Sequence, residues 1–75
     1  MGMNKPVANV AVLAYWNFCD YASGIVVEKE RAMKGRAMPQ YGEMIIGVPG
    51  KPNAIVRDYK FCGIKDKLPC YEVFV

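Results

Sequence analysis

The chain reads as a small α+β domain that is mostly β: a twisted antiparallel sheet of four to five short strands with at most one short helix. Three observations give this expectation. Apolar residues recur at a spacing of two far more often than at the helical spacing of roughly 3.6. Turn signals rich in Gly and Pro separate the apolar runs. At 75 residues there is room for a single domain, taken as residues 3–75 with Met1 and Gly2 read as additions before a native initiator Met3.

The strands follow in order. Val10, Val12, Ala14 and Trp16 alternate with Asn9, Ala11, Leu13 and Tyr15, and both sets are largely apolar, so this strand is expected to be central and covered on both faces. Asn17 is placed to cap a short turn through Phe18, Cys19 and Asp20, with Gly24 ending it. Ile25-Val26-Val27 then runs into Glu28-Lys29-Glu30, a strand whose far end reaches solvent. Residues 43–48 make a third strand. Val48-Pro49-Gly50-Lys51-Pro52-Asn53 is the clearest turn, because Pro presets φ and Gly accepts the positive φ of a type II turn. Residues 54–62 carry Ile55, Tyr59 and Phe61 on one face. Residues 63–69 read as a polar loop, and residues 70–75 close the chain with Tyr71, Val73 and Val75 alternating against Glu72 and Phe74. The one helix is expected within residues 17–23 or 31–38. The final strand, with no charged tail to guard it, reads as an edge open to pairing with another chain.

Composition narrows the class. Apolar residues make up 53% of the chain, enough for a packed core and too many for disorder. So short a chain buries only about 60% of its unfolded surface, which favours a shallow binding surface over a reaction cleft. The longest apolar run, from Val10 to Trp16, is seven residues against the roughly 20 needed to span a bilayer. No signal peptide pattern is visible. Reduced thiols in a cytoplasm are the simplest reading of the three cysteines, Cys19, Cys62 and Cys70, with a Cys62–Cys70 bridge across the last hairpin as the alternative.

The missing residues exclude most chemistry. There is no histidine and no threonine, and Ser23 is the only serine, so Ser–His and Cys–His catalysis and histidine metal sites have no donors. The cysteine spacings match no metal motif, and no Walker or dinucleotide glycine pattern is present. Glu28 and Glu30 would share a face of a regular strand and could act as paired carboxylates. A solvated strand end is the preferred reading, since nothing nearby is apolar enough to raise either pKa. Cys62 has no imidazole or cation cluster to activate it. The expectation is therefore a protein that is not an enzyme, with no cofactor and no metal.

Charge then points to a site. Ten Lys and Arg oppose seven Asp and Glu, for a formal net charge of +3. Residues 31–42 hold Arg31, Lys34 and Arg36 and no acid, so the rest of the chain balances to zero. The near-duplication of Arg31-Ala32-Met33 as Arg36-Ala37-Met38 is offset by five, which fits neither one helical stripe nor one strand face. Gly35 and Pro39 oppose a long helix. A mobile, partly helical arm is expected, with Arg31, Lys34 and Arg36 steering an acidic partner and Met33, Met38 and Tyr41 filling its apolar surface. The bland alternative is that these cations only keep a long loop in solution.

The 73-residue native length, the lack of a catalytic set, and the texture of residues 7–16 and 31–41 carry a likeness. The chain resembles the small proteins that lytic bacteriophages, including phages of Xanthomonas, make to take over host transcription. The resemblance implies a monomeric, non-enzymatic regulator of the bacterial host cytoplasm with no membrane attachment. Its implied partner is host RNA polymerase, bound where the β flap and the β′ N-terminal region border the RNA exit channel, with nucleic acid within reach. It implies inhibition of initiation at host promoters and antitermination during elongation. The alternative function is a single-stranded nucleic acid-binding β module, which needs aromatic rings exposed on one strand face. Tyr15, Trp16 and Phe18 do not clearly supply them. An antitoxin-like or structural phage component is a third class.

Overall fold

The structure, a computed structural model, describes residues 10–75; Met1, Gly2 and Asn9, on which part of the sequence reading falls, lie outside the described residues. Six strands follow one another: β1 Val12–Cys19, β2 Val26–Lys34, β3 Met44–Ile45, β4 Ala54–Ile55, β5 Asp58–Lys65 and β6 Leu68–Phe74. Four of them form one sheet in the order β2-β1-β6-β5, and β3 pairs with β4 in a separate ribbon. The protein is mostly β. Among the described residues there is no helix, and so none long and apolar enough to cross a membrane.

The main sheet is mixed where a wholly antiparallel one was expected. β1 runs antiparallel to β2 but parallel to β6, with Trp16 opposite Tyr71 and Phe18 opposite Val73. Parallel pairing needs a long crossover, and residues 35–57, with the β3–β4 ribbon, are part of it. This also corrects the reading of the last strand as an open edge. β6 is paired on both sides, and the edges are β2 and β5.

The crossover lies on one face of the sheet and makes the core. Ala14, Trp16 and Phe18 of β1 and Val73 of β6, with Val75, pack against Ile45, Val48, Ala54 and Val56. Trp16 and Phe18 are fully buried and meet edge to face at 6.0 Å. Each large side chain removed from water contributes about 1.5–3 kcal/mol. β1 is therefore central, but only its Trp16 face is fully covered; Tyr15 and Asn17 are half-buried and Leu13 is exposed on the other.

Both helix expectations give way to strand for identifiable reasons. Residues 17–19 continue β1 because Phe18 belongs in the core. Asp20, not Asn17, makes the following turn: its Oδ2 accepts the Ser23 N–H at 2.8 Å and the Ser23 hydroxyl at 2.9 Å. Residues 31–34 complete β2. The Val48–Asn53 turn is as expected, with Gly50 at φ 72 and the Lys51 N–H donating to Val48 O at 3.0 Å. The expected loop at 63–69 shrinks to Asp66 and Lys67, whose φ values of 50 and 65 make the two-residue turn that matches strand twist.

A bulge in β2 sets the site's geometry. Trp16 pairs with Arg31 but Phe18 pairs with Glu28, so β2 carries one extra residue there. Glu30 takes a φ of 52, and its N–H is received by Asn17 Oδ1 at 3.0 Å. In a regular strand Glu28 and Arg31 would point to opposite faces; the extra residue puts them on the same one. Glu28 and Glu30 are thereby separated, which removes the paired-carboxylate arrangement.

Candidate interaction surface

The six residues that the sequence groups as an arm divide into two sets. Arg31, Met33 and Arg36 are part of the fold. The Arg31 guanidinium pairs with Glu28, donates to Ile46 O at 3.2 Å and Gly47 O at 2.9 Å, and lies 4.8 Å from the centre of the Phe18 ring. It pins the crossover to β2. Arg36 pairs with Glu43, donates to Met38 O at 2.8 Å and lies 4.9 Å from the Trp16 ring. The Glu43 partnership holds Arg36 above its ordinary pKa and Glu43 below its own. Met33 packs half-buried against the core.

The expectation of a mobile arm with outward cations is corrected accordingly. Both arginines are half-buried and neutralised by carboxylates of the same chain. Glu28, three residues from Arg31, reaches its face only through the bulge, and Glu43 becomes a neighbour of Arg36 only when the crossover folds back. Each guanidinium also caps a core aromatic ring, which is worth about 0.5–1 kcal/mol or more as desolvation increases. The repeated Arg-Ala-Met thus places two cations over two rings that stand two residues apart on β1.

Lys34, Met38 and Tyr41 stay at the surface. Lys34 is exposed and has no carboxylate within ion-pair reach among the described residues; the same holds for Lys29, Arg57 and Lys67. Met38 is 52% exposed and Tyr41 66%. Met38 sits in the short stretch between Ala37, whose carbonyl receives the Trp16 indole N–H at 2.8 Å, and Tyr41. The Tyr41 ring rests on Tyr59 at 4.9 Å. Partial desolvation, then the charge of Asp58, push the Tyr41 hydroxyl above its ordinary pKa, so it is a neutral donor at physiological pH.

Tyr41 begins a row of aromatic rings whose other members, Tyr59, Tyr71 and Phe61, the alternation pattern places on strands without marking them as a surface site. Tyr59 meets Tyr71 edge on at 6.2 Å, and Tyr71 meets Phe61 at 5.9 Å. Tyr59 and Tyr71 are half-buried, while Phe61 is 57% exposed. The row crosses the two strands β5 and β6 on the same face as the core, at the margin of the crossover, whose Tyr41 rests on Tyr59. The available signal was arithmetic: so short a crossover cannot roof four strands, and the edge strand is left bare. This is a partly exposed apolar surface on ordered strands, with Tyr41 contributing a polar tip and the exposed Met38 three residues before it in the chain.

Among the described residues the other features are a shallow groove, an acidic turn and the thiols. One shallow groove of about 210 Å³ is lined by Asp20, Tyr21, Lys51, Asn53, Ile55 and Arg57, among others; ligand pockets usually run from about 300 Å³ upward. The Asp20 carboxylate there pairs with Lys51, and the hydrogen bonds from Lys51 and Ser23 lower its pKa to about 2. Among the described residues no three of His, Cys, Asp or Glu come together as metal ligands. Burial raises the Cys19 thiol, and desolvation with Cys70 and Glu72 raises that of Cys62, so neither is an activated nucleophile at neutral pH.

No protein-family model, curated protein or solved structure matches this chain.

Proposed function

We propose that the protein is a non-enzymatic regulator that docks on a larger protein assembly through the aromatic row. Tyr41, Phe61, Tyr71 and Met38 form the apolar centre of that surface, and Lys34 supplies charge from the far end of the sheet. The resemblance to phage takeover proteins makes bacterial RNA polymerase the partner, where the β flap and the β′ N-terminal region border the RNA exit channel. A small rigid module lodged there would displace promoter-specificity contacts during initiation and hinder hairpin formation during elongation. It would act in the cytoplasm of the bacterial host.

The uncovered Tyr41–Tyr59–Tyr71–Phe61 row supports this reading. Aromatic and methionine side chains are the residue types enriched at the centres of protein interfaces, where rigid rings give area at small entropic cost. The test is capture of purified bacterial RNA polymerase by the protein and by a Tyr41→Ala/Phe61→Ala double variant, paired with initiation and terminator read-through assays in vitro. The parent is expected to bind and to change both readouts, and the variant to bind at least tenfold more weakly, or about 1.4 kcal/mol. Equal binding by both proteins would remove the row from the interface, and no binding by the parent would remove the polymerase.

The second reading, a single-stranded nucleic acid binder, gains from the same observation. It asks for rings exposed on one strand face; of the row, Phe61 on β5 and Tyr41 in the crossover are exposed, each stacked base being worth about 1–3 kcal/mol. Its charge is sparse, with Lys29 and Lys34 on the edge strand β2 and Arg57 and Lys67 at opposite ends of β5. Titration of an oligonucleotide against salt separates the readings: micromolar binding with a slope of about two to three phosphates favours nucleic acid.

A further inference from the structure

The three cysteines are free, and two of them stand side by side in the edge hairpin. Phe61 pairs with Tyr71 and Gly63 pairs with Cys70, so Cys62 is the extra residue of a bulge in β5. In such a bulge two consecutive residues oppose one on the partner strand, which brings Cys62 alongside Cys70. Burial first, and then Cys70, raise the Cys62 thiol above its ordinary pKa, in keeping with their neighbouring places across the ladder. Cys62 is exposed and Cys70 is buried. That asymmetry separates an attacking thiol from a resolving one.

We propose that Cys62 and Cys70 form a thiol–disulfide site whose co-reactant is a low-molecular-weight disulfide such as oxidised glutathione. Cys62 loses its proton to water, and its sulfur attacks the glutathione disulfide. A Cys62–glutathione bond forms, the glutathione S–S bond breaks, and one glutathione thiolate leaves and takes up a proton. Cys70 then loses its proton and attacks Cys62 Sγ, releasing the second glutathione in the same way. Two protein thiols are oxidised, and one glutathione disulfide is reduced to two thiols. Cys19, buried in β1, stays out of the exchange.

The bridge would tie the edge strand β5 to β6 beside the residue pair Phe61 and Tyr71. Oxidation would therefore fix the aromatic row in place without adding any atom to it. This inference does not depend on which macromolecule the row meets.

The experiment is incubation of the folded full chain with oxidised glutathione, followed by alkylation and peptide mapping. A Cys62–Cys70 link with Cys19 still alkylated is expected. The rate should rise about tenfold per pH unit up to the thiol pKa, because only the thiolate attacks. A stable glutathione adduct on Cys62 with no internal link, a link that includes Cys19, or no oxidation where the denatured chain oxidises would each overturn the proposal. Cys62→Ser, at an exposed position, keeps the test open whatever Cys70→Ser does to folding. Internal oxidation of Cys62→Ser at the parental rate would also overturn it.

Discussion

One face of one sheet carries two regions built from similar residues and put to different uses. Over β1, the crossover supplies Ile45, Val48, Ala54 and Val56 as a roof. Trp16 and Phe18 beneath it have no solvent exposure, and arginines close the margins. Toward β5 the roof thins: Tyr59 and Tyr71 pack half-buried against the core's edge, and the exposed Tyr41 and Phe61 rest on them. The difference shows what makes an aromatic residue structural: the ring type is shared, and the chain available to cover it is not. The cations sort the same way. Those over the roofed region are paired internally, and the unpaired ones lie elsewhere.

The comparison breaks most sharply at Trp16. Trp16→Ala should cost about 3–5 kcal/mol, read as a fall in denaturation midpoint large enough to unfold a marginal domain. Arg31→Met comes next, since it leaves Glu28 without its partner and two carbonyls without their donor. A loss of about 1–2 kcal/mol is expected, discounted for partial exposure. Phe61→Ala and Tyr41→Ala should each change stability by no more than about 0.5 kcal/mol, while binding falls as described above. A loss at Phe61 as large as at Trp16 would erase the distinction between the regions.

Acid sharpens it further. Arg36 holds the Glu43 carboxyl below its ordinary value, so the folded state binds fewer protons than the unfolded chain in the acidic range. The stability this pair supplies is complete above the ordinary carboxylate value of 4.5 and is lost as pH falls through the lowered folded value. Asp20 follows at about 2. Glu43→Gln should flatten the upper part of that acid limb in pH-dependent unfolding while leaving the Asp20 part. The smallest effect belongs to Lys34→Glu, which should leave the unfolding curve unchanged and weaken partner binding a few-fold, more at low salt than at high. Reversing Arg36 as well would obscure the result by breaking its pair with Glu43.

The period-two runs and the Pro49-Gly50 turn made the β character and most strands legible before any coordinates. The parallel register of β1 with β6 was not, because it depends on which segments the crossover brings together and no local pattern encodes that. Of the site, Lys34, Met38 and Tyr41 were found at the surface. Arg31 and Arg36 were misread because Glu28 reaches Arg31's face only through the bulge at Glu30, whose φ of 52 no Gly announces. Tyr59 and Phe61 were placed on one face of their strand and Tyr71 on a face of the next, but alternation reports a shared side within a strand and not whether anything lies over it.

The interior position of β6 bears on how the molecule is assembled. Until Leu68–Phe74 exist, β1 has β2 on one flank and nothing on the other, and Trp16 and Phe18 lack the Val73 wall. The sheet therefore closes only when Leu68–Phe74 pair with β1, a step that must first overcome a long loop's entropy. Removing Leu68–Phe74 would delete the strand that joins β5 to β1 and not trim a margin.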